Sequence, residues 1–174
     1  KAWSCNLLNL ATGKVSQPSI AIADNNVEVV RSFDKETPRG VAVSPDGKKF
    51  AMAIRGMLYI SDVKGKYQVR LNTPENERVD ELVWAKDNRT VYFTRTNKGY
   101  TNLYKIKADG SSAEQLVYSA DCNIKNLTPS HNRDRIAFVR GNHNVMVVNT
   151  ATDVVEKVAD AQFWSYGTHT LNFS

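Results

Sequence analysis

The residues of this chain that could do chemistry are few, and their spacing settles most of them. Ser130, His131 and Asp134 could supply a nucleophile, a base and an orienting acid, the set used in acyl transfer. Such a set converges on a substrate from separate parts of a fold, which neighbours in one turn rarely do, and no oxyanion donor can be named beside them. Asp46 in "SPDG" could be a catalytic carboxylate, but Asp87 and Asn132 recur at matching places, which points to a turn rather than a reaction. The acidic stretches "DKE" (34–36) and "ENERVDE" (75–81) lack the ligand spacing of a calcium loop. Cys5 and Cys122 stand far apart, whereas a zinc site takes about four ligands in close pairs. Two buried free thiols are expected, with a disulfide left open. His131 and His143 fall in turn and loop segments and are expected at the surface; His169 could point inward or outward. There is no Gly-x-Ser-x-Gly elbow, no His-Glu-x-x-His and no Gly-rich phosphate loop. The sequence therefore predicts no catalytic residue, no metal and no cofactor.

Composition narrows the class. The 174 residues suffice for one domain with a sizeable core, and 41% hydrophobic with 24% charged residues is ordinary for a folded protein. No apolar run approaches the roughly 20 residues of a membrane span. The net charge of +5 is spread over many short basic spots. Nucleic-acid binding is not expected, because a binding face needs clustered cations. The chain opens on Lys1, in a segment already patterned as a strand, which suggests a mature product or a fragment.

The elements that must position any site come from a repeat. "VAVSPDGKKFAM" (41–52) aligns without gaps on "LVWAKDNRTVYF" (82–93) and "LTPSHNRDRIAF" (127–138), and a fourth copy begins at "LNFS" (171–174). Ser44, Ala85, Ser130 and Ser174 are thus equivalent, at intervals of 41, 45 and 44 residues. A second unit follows each full copy, at 57–71, 102–117 and 144–158, and "CNLLNLATGKVSQPSI" (5–20) is one more example of it. Apolar residues alternate at Val41, Val43, Phe50 and Met52, the period of a strand with one buried face. Pro45, Asp46 and Gly47 suit a tight turn between two antiparallel strands. The third copy has Ser130-His131-Asn132-Arg133 there, which puts its turn geometry in doubt. Four short strands per 40–45 residues is the arithmetic of a β-propeller blade, so the fold class predicted is all-β, a propeller of four-stranded antiparallel blades.

The stretches "RGVAVSPDGKKFAMAIRGMLYISD" (39–62) and "GYTNLYKIKADGSSAEQL" (99–116) resemble the WD-type propeller repeats of tricorn-like serine peptidases and of TolB-type propellers. The tricorn-like resemblance implies a non-catalytic propeller that gates access or binds peptide, with hydrolysis in another domain. The TolB-like resemblance implies a protein-docking module of the cell envelope. Both imply a periplasmic or secreted location, with the cytoplasm as the alternative. A sugar-active propeller would need paired carboxylates about 5–10 Å apart at the channel mouth, and no such pair is legible.

The expected layout is the trailing part of a blade over 1–24, blades over 25–75, 76–120 and 121–160, and the first strand of a further blade over 161–174. About four blades suggest a piece of a larger ring, or a last strand that completes the first partial blade. Innermost strands should line the central channel. Arg39, Asp80, Glu81 and Lys125 are the charged residues near their starts, and Tyr100 and Tyr166 fall in loops. These six are the candidate contact residues for a peptide or protein partner. Remaining blades or a catalytic domain of a longer parent are further expected partners, as is self-association through open sheet edges. Most other aromatic residues, Trp84, Tyr92, Phe93 and Phe138 among them, are expected to pack between blades.

Overall fold

The computed structural model describes residues 6–18, 37–160 and 170–174. The chain divides into two compact units, Lys1–Glu36 and Thr37–Ser174. Candidate residue Tyr166, and with it Cys5 and His169, lies outside the described residues.

In the first unit, β1 (Leu7–Leu8) pairs antiparallel with β2 (Val15–Ser16). The turn is held by Asn9, whose Oδ1 accepts the N–H groups of Ala11 and Thr12 at 3.0 and 3.1 Å. Gly13 follows at φ +66° and donates its N–H to the Asn9 carbonyl at 2.8 Å.

The second unit contains three four-stranded antiparallel sheets, each a simple up-and-down meander. The first is built from β3 (Gly40–Val43), β4 (Lys49–Ile54), β5 (Met57–Asp62) and β6 (Gln68–Arg70). The second holds β7 (Val79–Trp84), β8 (Thr90–Asn97), β9 (Tyr100–Lys107) and β10 (Gln115–Tyr118). The third holds β11 (Ile124–Pro129), β12 (Arg135–Arg140), β13 (Asn144–Asn149) and β14 (Val155–Asp160). Among the described residues there is no helix.

The three first hairpins share one turn. The N–H of Ser44, Ala85 and Ser130 donates to the carbonyl of Lys49, Thr90 and Arg135 at 2.9, 2.9 and 2.8 Å. Three residues after each of these comes the left-handed position: Gly47, Asn88 and Arg133, at φ +68°, +55° and +58°. The third turn, placed in doubt by its sequence, therefore keeps the geometry of the first. Its Ser130 hydroxyl reaches Asn132 and Asp134 at 3.0 and 2.9 Å, so the turn consumes two members of the imagined nucleophile set. His131 and His143 are both exposed. Asp46 accepts from the Ser44 hydroxyl at 2.6 Å and the Lys48 N–H at 3.1 Å, which is turn work. In the second copy the hydroxyl has moved: position 85 is Ala, and Thr90 supplies the bond to Asp87 at 2.6 Å.

Period-two patterning stacks the sheets. Ala51, Ala53, Leu58 and Ile60 of the first sheet pack on Leu82, Trp84, Val91, Phe93 and Tyr104 of the second. The opposite face of that second sheet, with Val83, Tyr92 and Leu103, packs on Ile136, Phe138, Met146 and Val148 of the third. Small alanines on one side make room for Trp84 and Phe93 on the other, both fully buried. Burying each such large side chain contributes about 1.5–3 kcal/mol. Trp84 also donates its indole N–H to the Ala42 carbonyl at 2.9 Å, which fixes the ring against the first sheet. Between the second and third sheets, the Tyr92 hydroxyl donates to Asp153 at 2.8 Å, and Lys105 pairs with the same carboxylate. Burial pushes the Tyr92 hydroxyl far above the ordinary phenol range, and the Asp153 carboxylate adds to it. Cys122 departs from expectation: it is a free thiol but only half-buried, in the connection between β10 and β11.

Candidate functional site

The innermost strands β3, β7 and β11 converge, with residues 170–172, around a cleft of about 600 Å³. Its apolar lining is Val41, Leu82, Leu127 and Leu171, and its charged lining is Arg39, Asp80 and Glu81. Three of the six candidate contact residues are thus brought together at one place. Lys125 lies on β11 beside this lining, and its ammonium donates to Asn142 Oδ1 at 2.9 Å. Tyr100 opens β9 at the tip of the β8–β9 hairpin, 44% exposed and outside the cleft lining.

Close approach of the strands builds the mouth. A Cβ at position 40 would stand 2.5 Å from the Asp80 carbonyl oxygen, so only glycine lets β3 and β7 come this near. Beside it the Arg39 guanidinium faces the Asp80 carboxylate at 3.7 Å, with both side chains well exposed. An exposed pair of this kind is worth no more than about 1 kcal/mol, so it orients the rim more than it stabilises it.

Two bulges shape the wall. The β7–β8 register shifts between Val79 and Leu82, and the β11–β12 register shifts between Lys125 and Thr128. Residues inside a bulge lose their ladder partners and need other acceptors. The Glu81 N–H finds the Thr94 hydroxyl at 3.0 Å. Asn126, at φ +62°, and Leu127 turn their N–H groups to the Glu81 carboxylate of the neighbouring sheet, at 2.9 and 2.7 Å. Glu81 therefore clasps two sheets together, a role sequence reasoning missed. The Asn126 side-chain nitrogen is buried in the same wall without a hydrogen-bond partner.

The sequence also missed the apolar share of the cleft. Alternation marked Val41, Leu82 and Leu127 as strand residues, but their facing was not legible. An asparagine at Asn126 was the one local hint of a left-handed residue inside a strand. Chemically, the cleft offers an apolar strip edged by charges, while its two carboxylates are already engaged by Arg39 and by backbone N–H groups. Among the described residues no group of three or more His, Cys, Asp and Glu could hold a metal ion.

Comparison with known proteins bears on the fold. No protein-family model matches the chain. A curated relative, an uncharacterised protein of Agrobacterium fabrum strain C58, is 32% identical over 100 residues, 55% of this chain and 33% of that protein. The chain thus spans about a third of that relative's length. A TolB-like structure from Agrobacterium tumefaciens is 24% identical, covers 68% of this chain and 48% of its own, and superposes with a TM-score of 0.57. TolB from Acinetobacter baumannii is 18% identical, with 90% and 38% covered and a TM-score of 0.56. The tricorn protease is 15% identical, with 88% and 15% covered and a TM-score of 0.53. The chain is an all-β protein of β-propeller fold, and its structural neighbours are TolB-like and tricorn-like propellers.

Proposed function

We propose that the chain is a non-catalytic β-propeller segment that binds an extended peptide at its axial cleft, gating access or holding substrate in a tricorn-like serine peptidase. The observation that carries this reading is the cleft itself: Val41, Leu82, Leu127 and Leu171 in a strip edged by Arg39, Asp80 and Glu81. Apolar strips with a few placed polar groups suit alternate side chains of an extended chain. Remaining blades and a catalytic domain of a longer parent complete this reading. A second reading is a TolB-like docking module of the cell envelope, supported by the two TolB-type structures among the neighbours, 24% and 18% identical against 15% for the tricorn protease. Both readings place the protein in the periplasm or outside the cell, with the cytoplasm as the alternative; fractionation of the native host decides between them.

Titration of an extended-peptide library against the 174-residue chain tests the shared part. Val41 lines the cleft and is 56% exposed, so Val41→Glu should fold normally. Loss of one apolar contact predicts binding weaker by about tenfold or more at an unchanged melting temperature. Absence of peptide binding, or peptide hydrolysis that persists through repurification, refutes the proposal.

A further inference from the structure

Short basic spots that lie scattered along the sequence meet at one end of the stacked sheets. The turn over 44–49 carries Lys48 and Lys49, the turn over 62–67 carries Lys64 and Lys66, and the turn over 85–90 carries Lys86 and Arg89. Hydrogen bonds join the three turns side by side. The Val63 N–H donates to the Lys48 carbonyl at 3.1 Å, and the Asp46 N–H donates to Asn88 Oδ1 at 2.8 Å. These turns end the strands of two neighbouring sheets, which stack about 10 Å apart. Sheets stack through their faces, so an end made of turns stays open however many sheets the stack contains.

Charge at this end is one-sided. Each of the three turns holds two cations and one aspartate. The aspartates are occupied within the turns: Asp46 accepts from the Ser44 hydroxyl, Asp62 from the Tyr67 N–H at 2.9 Å, and Asp87 from the Thr90 hydroxyl. Lys48, Lys64, Lys66, Lys86 and Arg89 are exposed and make no ion pair among the described residues. At the opposite end Arg39, Arg70 and Arg140 each face a carboxylate, of Asp80, Glu75 and Asp121. The turn end therefore holds a surplus of cations that the fold does not pair.

Two features select the class of anion. Four of the five unpaired cations are lysines. Point charges on flexible stems suit many mobile anionic groups better than one carboxylate or phosphate held in a fork. Val63 and Tyr67 bracket Lys64 and Lys66 and are 50% and 46% exposed. An aliphatic side chain and a tyrosine beside lysines match the lipid headgroup layer, where the ring enters and the phenol stays wet. A soluble polyanion such as polyglutamate satisfies the lysines but not that pair.

We propose that this end docks on an anionic lipid surface, with Lys48, Lys64, Lys66, Lys86 and Arg89 over the headgroup phosphates and Val63 and Tyr67 entering the headgroup layer. It goes beyond peptide binding and shares no residue with the axial cleft.

Co-sedimentation of the full chain with lipid vesicles tests it. The expected result is binding to vesicles of mixed phosphatidylglycerol and phosphatidylcholine, none to phosphatidylcholine alone, and release in high salt. One cation near such a surface is worth about fivefold in affinity, so Lys64→Gln/Lys66→Gln should weaken binding about twentyfold or more. Tyr67→Ser leaves the charge unchanged and should weaken it about fivefold. Lys98, exposed at the tip of the β8–β9 hairpin at the opposite end, supplies the control: Lys98→Gln should stay within about twofold. All four positions are exposed, so circular dichroism should be unchanged throughout. No binding to the anionic vesicles, equal binding to both kinds, equal weakening by Lys98→Gln, or an unaffected Tyr67→Ser overturns the proposal. Polyglutamate bound as tightly as the anionic vesicles would reassign this end to an acidic protein and overturns it as well.

Discussion

Replacing Glu81 tests how the cleft wall is held. Its carboxylate accepts the N–H groups of Asn126 and Leu127 at 2.9 and 2.7 Å, and the bulge denies both groups a partner on β12. Hydrogen bonds to a charged acceptor contribute about 1.5–3 kcal/mol each, and a buried donor left alone costs about 1–3 kcal/mol. Glu81 is only half-buried, so water recovers part of this. Glu81→Ala should therefore destabilise the chain by about 2–4 kcal/mol in urea titrations. The matching drop in melting temperature is roughly 5–15 °C for a chain of this size. Glu81→Gln keeps one neutral acceptor and should fall about midway. Hydrogen exchange gives the site-specific reading: the amides of residues 126 and 127 should lose protection in Glu81→Ala well before those of Ile136 and Phe138. A change under about 0.5 kcal/mol, the usual span for inert surface substitutions, would refute the clasp. Unchanged exchange at the two amides would refute it equally.

Two further outcomes follow from charged groups in the second sheet. Arg95 grips Glu114 with two nitrogens at 3.1 and 2.7 Å and lies over the Tyr104 ring, with side chains 8% and 17% exposed; Glu114→Ala strands that guanidinium and should cost about 3–5 kcal/mol, whereas Arg95→Met/Glu114→Met should recover most of it. A single-variant loss below about 1 kcal/mol, read by the same urea titration, would contradict the argument that the guanidinium is buried and left unpaired. Asp87 is pushed up by burial but held below its ordinary value of 3.8 by the Thr90 hydroxyl, the N–H groups of Arg89 and Thr90, and Lys107. A depressed folded value means stability is present above the ordinary value and lost as pH falls through the folded one, so the gap between wild type and Asp87→Asn should narrow below about pH 4. A gap that stays constant from neutral pH into acid would count against it.

The sheets were legible because two signals agreed along most of the chain. Alternation at Val41, Val43, Phe50 and Met52 set the strands, and turn residues at fixed offsets cut them to length. Residue identity alone misled at the third turn. Arg133 is a poor left-handed residue by itself, yet it sits at φ +58°. Ser130, Asn132 and Asp134 tie the loop side chain to side chain, and the β11–β12 ladder fixes its ends. Tertiary pairing outweighed local preference. Cys122 failed for the opposite reason: nearness to an apolar strand in sequence does not bury a residue that falls in a connection.

The cleft was legible only in part because a repeat predicts what its copies share. Arg39, Asp80 and Lys125 each stand five residues before the turn position of their copy, yet two form a pair at the rim while the third bonds Asn142. The next position is Gly40, Glu81 and Asn126 in the three copies. Glycine there admits the Asp80 carbonyl, glutamate reaches across to the next sheet, and asparagine takes the left-handed turn that needs the glutamate. Exchanging Gly40 and Glu81 would break both places: a side chain at position 40 collides with backbone, and a glycine at 81 leaves two N–H groups without an acceptor. Thr94 follows the same logic, a hydroxyl where the other copies have Ala53 and Val139, placed to receive the Glu81 N–H. The wall of the cleft is made by the departures of each copy from the repeat, so aligning the copies finds the scaffold, and the mismatches in that alignment mark the site.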